Sequence, residues 1–142
     1  MKIAKILFIG SFFFLLIQTI SYSQNFKVGA GTELRSDPPI SMFIKATYDL
    51  NFLNENLRTS IDLMVLPPIE GNLDFHYSFF REFGIDAYGL AGVNWGKYVG
   101  GNLGAGVLVN IAEEKLDLLG EVKYLITNKP QASIKLGLFY NF

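Results

Sequence analysis

From residue 132 to its end the chain reads ASIKLGLFYNF, and every second residue is apolar: Ile134, Leu136, Leu138, Tyr140 and Phe142. Between them lie Ser133, Lys135, Gly137, Phe139 and Asn141, mostly polar or small. A repeat of two is the side-chain period of a β-strand, whose residues point alternately to opposite faces. The same alternation recurs along the chain, interrupted by clusters of Pro, Gly, Asn and Asp. It predicts eight strands, at 26–35, 40–50, 57–66, 73–80, 85–95, 102–111, 116–127 and 132–142. The turns between them include 36–39 (SDPP), 51–56, 67–72, 81–84 (REFG), 96–101, 112–115 and 128–131.

Sorting each strand by parity gives one face with no Lys, Arg, Asp, Glu, Asn, Gln or His. It carries, for example, Ile40, Met42, Ile44, Ile61, Leu63, Phe75, Val107 and Val122. The other face holds six bases (Lys27, Arg35, Lys45, Arg58, Lys123, Lys135) and seven acids (Glu33, Asp49, Asp62, Asp74, Asp86, Asp117, Glu121), together with His76. The remaining charges beyond the N-terminal segment fall in the predicted turns.

This division decides inside from outside. A charge facing hydrocarbon costs about 2–4 kcal/mol at the midplane of a barrel, whereas a charge facing the interior can pair with another. A soluble barrel or sandwich needs the reverse arrangement, with polar residues outside. The prediction is therefore an all-β fold: an eight-stranded antiparallel up-and-down transmembrane β-barrel. Eight strands leave an interior just wide enough for side chains, so a side-chain-filled polar interior, an ion-pair network and no open pore are expected. Gly29, Gly31, Gly92, Gly104, Gly106 and Gly137 share the inward parity and would relieve crowding there. Aromatics fall where interfacial girdles are expected: Phe26, Tyr48, Phe52, Phe79, Tyr140 and Phe142 at one rim, and Trp95, Tyr98 and Tyr124 at the other.

Composition sharpens this picture at the N-terminus. Lys2 and Lys5 precede an apolar run from Ile6 to Ile17, and Ser21-Tyr22-Ser23 supplies small residues at a cleavage site. Residues 1–23 are expected to form a signal-peptide helix, removed after Ser23, leaving 24–142 as the barrel. The run falls short of the roughly 20 residues of a spanning helix. Loss of Lys2 and Lys5 takes Lys+Arg from 12 to 10 against 13 acids, a net charge of −3. With no basic excess there is no electrostatic footprint for nucleic acid. The chain has no cysteine, which excludes disulfides, thiolate metal sites, a cysteine nucleophile and the lipidated cysteine of a lipoprotein.

The closing strand, with Ile134, Leu136, Leu138, Tyr140 and terminal Phe142, resembles the C-terminal signal by which outer-membrane barrels are recognised for assembly. Together with the leader and the alternation, the chain resembles the small eight-stranded outer-membrane β-barrel family. That resemblance implies the outer membrane of a Gram-negative cell, both termini in the periplasm, contact with outer-membrane lipid and assembly by the barrel-assembly machinery. The outer loops would be 36–39, 67–72, 96–101 and 128–131, all short.

Candidate chemistry is sparse. His76 and Ser78 share a strand face, so a histidine could take the serine proton. Eight-stranded outer-membrane lipid A deacylases carry a similar His-x-Ser on one strand. In that family Asn-Ala-Gly follows, whereas Phe79-Phe80-Arg81 follows here, and the inward parity turns both residues away from lipid. A core histidine bonded to Asp74, Asp62 or Asp86 is the reading favoured. No metal-ligand spacing and no phosphate-cradling glycine motif is present, so no cofactor is expected. The expected role is structural or surface-interacting, not enzymatic, with a membrane or surface partner left open. The alternatives are a lipid A-modifying enzyme using His76 and Ser78, and a secreted soluble barrel binding a small apolar ligand.

Overall fold

A computed structural model of the protein describes residues 26–65, 69–113 and 115–142; the expected leader at 1–23 lies outside them. Eight strands follow one another: β1 (Phe26–Arg35), β2 (Ile40–Asp49), β3 (Leu57–Met64), β4 (Gly71–Glu82), β5 (Ile85–Trp95), β6 (Gly100–Ala112), β7 (Leu116–Ile126) and β8 (Gln131–Asn141). Each pairs antiparallel with its neighbour in sequence, and β8 closes on β1, so the sheet has no edge. One end of the barrel carries both ends of the sheet and the turns 50–56, 83–84 and 113–115. The other carries the four loops that follow β1, β3, β5 and β7.

The register sets the geometry. Following paired residues around the wall from Phe26 leads through Tyr48, Thr59, Phe75, Ala91, Leu103, Tyr124 and Ala132. The β8–β1 register then returns to β1 at position 36, ten residues beyond the start. A stagger of this kind tilts the strands by about 35–45° to the barrel axis. The close seams need glycine: a Cβ on Gly31 would lie 2.0 Å from the Leu136 carbonyl oxygen and 2.5 Å from the Gly137 Cα.

Nine of the predicted strand boundaries shift by one or two residues. The largest departure is in β4, expected to end at Phe80 and observed to run to Glu82. Its turn needs only Phe83 and Gly84, whose φ values of 55° and 73° are both positive, as a two-residue hairpin with the right twist requires. The register also slips between Ser78 and Phe80. This bulge places Phe79 and Phe80 both outward, 67% and 41% exposed, and resets the alternation so that Arg81 stands opposite Asp86. Arg81 and Glu82 therefore belong to a strand and not to the turn that uninterrupted alternation assigns them to.

The barrel is polar within and apolar without. Glu33, Lys45, Arg58, Asp62, Asp74, His76, Glu121, Lys123 and Lys135 are buried, while Ile40, Met42, Phe75, Leu103, Val122 and Leu136 are more than half exposed. The interior is not polar throughout. Phe43, Met64, Tyr88, Leu90, Leu108, Leu119 and Phe139 form a buried cluster inside the same wall. They stand at inward positions among the charged ones, and their bulk fills space beside the ion pairs.

Candidate functional site

The centre of the barrel is a compensated cluster of three lysines and three acids. Lys45 Nζ lies 2.6 Å from a Glu121 oxygen and 3.5 Å from Asp62. Lys123 Nζ lies 3.1 Å from Asp62 and 3.4 Å from Glu121, and it also bonds Asp74. Lys135 donates to Asp62, and its ammonium sits 5.1 Å from the Phe43 ring centroid. The Tyr88 hydroxyl donates to Glu121 at 2.7 Å. Removing an isolated charge from water costs several kcal/mol per ion, which only such mutual pairing can offset. Asp62, Asp74 and Glu121 bring oxygens within 4.8 Å of one another, the spacing of a cation site. The three ammonium groups already neutralise those carboxylates, so the cluster gives no ground for a metal.

Towards the turn end, Arg58 Nε donates to Asp49 at 2.8 Å and its Nη2 to Asp86. Lys27 pairs with Asp117 at 2.7 Å. These residues line an open vestibule of about 880 Å³, with Asn110, Lys115 and Phe142 at its rim. Towards the loop end, Arg35 pairs at 2.7 Å with Glu70, a buried residue of the loop before β4. Glu33 is buried opposite Lys135 on the β1–β8 seam but enters no ion pair among the described residues.

At the loop end Tyr98 reaches across to the loop after β1. Expected in an outer aromatic girdle, it is 5% exposed. Its hydroxyl donates to Asp37 at 2.6 Å, and Lys97 Nζ donates to the same carboxylate oxygen at 2.8 Å. The Gln131 side chain accepts from Ser36 Oγ and the Asp37 N–H. Asp37 thus ties the loops after β1 and β5 to the start of β8. The hydrogen bonds from Lys97 and then Tyr98 hold the Asp37 carboxyl below its ordinary value. The Asp37 bond in turn raises Lys97.

His76 and Ser78 do not form the pair that the fragment suggested. The His76 Nε2 lies 2.8 Å from Ser60 Oγ on β3, and its ring stacks on Tyr88 at 4.6 Å. Ser78 instead accepts from Arg81 at 3.2 Å. The expected bond from His76 to Asp74, Asp62 or Asp86 is also absent among the described contacts; the nearer hydroxyl of Ser60 takes the role. Both His76 and Ser78 are buried, 1% and 3% exposed.

Four outward residues of β8 and the terminal Phe142 are all exposed: Ile134, Leu136, Leu138 and Tyr140 lie between 46% and 53%, and Phe142 at 54%. Phe142 packs edge-on against Tyr140 at 5.1 Å and beside Phe26 at 5.9 Å, joining both ends of the sheet in one aromatic cluster.

No protein-family model and no curated protein matches the chain. Solved structures do resemble it in fold. A de novo designed transmembrane β-barrel superposes with a TM-score of 0.68 at 16% identity, covering 84% of this chain and 96% of the design. The N-terminal β-barrel domain of Pseudomonas aeruginosa OprF gives 0.67 at 17% identity, covering 84% and 98%. Neisserial surface protein A gives 0.59 at 16% identity, covering 84% and 98%. The fold shared with these structures is the small closed transmembrane β-barrel.

Proposed function

We propose that the protein is a small outer-membrane β-barrel with a filled interior, serving a structural or surface-interaction role. The observation that carries this reading is the inversion of the barrel: an exposed apolar wall, with Glu82 at its turn-end rim, around buried ion pairs. Water would not tolerate such a wall, and hydrocarbon would not tolerate the reverse. Likeness in fold to OprF and the neisserial surface protein supports the outer membrane as its location. The buried central cluster and Tyr88 within it support a filled barrel over a pore. In this reading β8, with Ile134, Leu136, Leu138, Tyr140 and Phe142, is the strand offered to the assembly machinery, and residues 1–23 are the cleaved leader.

Fractionation of cells expressing the full chain tests this. The protein should sediment with outer membranes and run with heat-shifted mobility in detergent gels. Recovery in the soluble periplasmic fraction would instead favour a secreted barrel holding an apolar ligand.

A further inference from the structure

The bulge in β4 creates a feature that a filled structural barrel does not need. Beside it, between β4 and the turn 50–56, lies an open pocket of about 370 Å³ lined by Asn56, Ser78, Phe79, Phe80, Arg81 and Glu82 among others. Its apolar lip is continuous with the exposed outer wall: Tyr77, Phe79 and Phe80 are 51%, 67% and 41% exposed. The fully displayed Phe83 follows at 92%. Its polar floor is Arg81, held in place by three contacts. Nε lies 3.2 Å from Asp86, Nη1 donates to the Glu55 carbonyl at 3.0 Å and Nη2 to Ser78 Oγ at 3.2 Å. A guanidinium carries five N–H donors, so two remain, on a side chain that is 37% exposed. Glu82, next along the strand and paired with the outward Ile85, also lines the pocket.

We propose that this pocket binds the headgroup of a phospholipid from the leaflet at the turn end, specifically one carrying a phosphate followed by a primary ammonium. Arg81 receives the phosphate through its two spare N–H groups, in the planar geometry that suits guanidinium–phosphate contact. Glu82 receives the ammonium. The acyl chains descend along Phe79 and Phe80, which the bulge turns outward together. Bulges characteristically re-aim side chains beside a site, and here one slip in register supplies both the aromatic lip and the returning arginine. The assignment rests on the membrane reading above, and goes beyond it by naming a lipid class and a place.

The test is native mass spectrometry of the full-length barrel released from micelles holding equimolar phosphatidylethanolamine, phosphatidylglycerol and phosphatidylcholine. The wild type should retain one phosphatidylethanolamine in preference to the other two. Glu82→Gln should shift the preference several-fold towards phosphatidylglycerol, and Arg81→Gln should lower retention of all three. Phe79→Ala, which removes no ion-pair partner, should weaken retention without changing the order. Indifference to headgroup in the wild type, or an unchanged pattern in Glu82→Gln, overturns the proposal. Competition by glycerophosphoethanolamine as effective as by the intact lipid overturns its lipid part. Heat-shifted mobility of the same samples reports folding and insertion separately, so a failure of the membrane reading appears there and not in lipid selectivity.

Discussion

The Lys45 ammonium on β2 lies 2.6 Å from the Glu121 carboxylate on β7, two residues 76 apart in the chain whose strands are not neighbours in the wall. The bond crosses the interior and ties opposite parts of the sheet together. Each partner also touches a third group, Asp62 for Lys45 and the Tyr88 hydroxyl for Glu121.

Removing one partner leaves the other buried charge short of its nearest counter-charge, and breaking a buried pair in this way typically costs about 3–5 kcal/mol. Glu121→Gln and Lys45→Met should each lower the urea midpoint of the barrel refolded in vesicles by a corresponding amount. The double variant Lys45→Met with Glu121→Leu should be less destabilised than the two single effects added together. Strict additivity would mean that the pair does not couple.

The outer wall makes a different prediction. Leu136 is 53% exposed on β8, while Lys135 beside it is wholly buried. Leu136→Arg should lose about 2–4 kcal/mol in a bilayer and fail to assemble. Lys135→Gln leaves Asp62 with Lys45 and Lys123, so it should insert with a lowered unfolding midpoint. Equal assembly yields, read from heat-shifted gel mobility, would contradict the assignment of faces.

Two glycines separate packing necessity from tolerance. Alanine at Gly31 has no space, because the atoms it would meet are backbone on β8. At Gly89, outward on β5, nothing lies within 4 Å of the added carbon. Gly31→Ala should slow or block barrel closure, and Gly89→Ala should fold as the wild type does, both measured by the kinetics of the gel-mobility shift.

The loop tie at Asp37 should depend on pH at both extremes. Hydrogen bonds from Lys97 and Tyr98 lower the Asp37 carboxyl below its ordinary 3.8. The tie is therefore complete above the ordinary carboxylate range and is lost as pH falls through the lowered value. Lys97 is raised above 10.5, so its part persists below that value and is lost as pH rises through the raised one. Protease sensitivity of loops 36–39 and 96–99 should rise outside this window. Asp37→Asn should be sensitive throughout and show no acid transition.

The enzyme alternative has its own test. With His76 bonded to Ser60 and Ser78 bonded to Arg81, His76→Ala and Ser78→Ala should leave the lipid A of expressing cells identical in mass to that with the wild type. A change with either variant would reinstate the hydrolase reading.

The alternation of residues such as Ile134, Leu136 and Leu138 against Ser133 and Lys135 was sufficient to place eight strands, their two faces and the charged interior. A pleated backbone makes side-chain direction a matter of counting by two. Where the backbone departs from regular pleating, counting fails. The extra residue between Ser78 and Phe80 reversed the parity beyond it, so Arg81 became an interior partner of Asp86 and β4 outran its predicted end. Contacts across the barrel were equally illegible. Lys45 meets Glu121 because of the ten-residue stagger of the closed sheet, which is the sum of every turn and bulge around the wall. Tyr98 reads as a rim aromatic until the loop after β5 curls back to Asp37. Sequence by itself therefore determined which way each side chain faces, a local property of one strand; only closure of the sheet decided what each one meets.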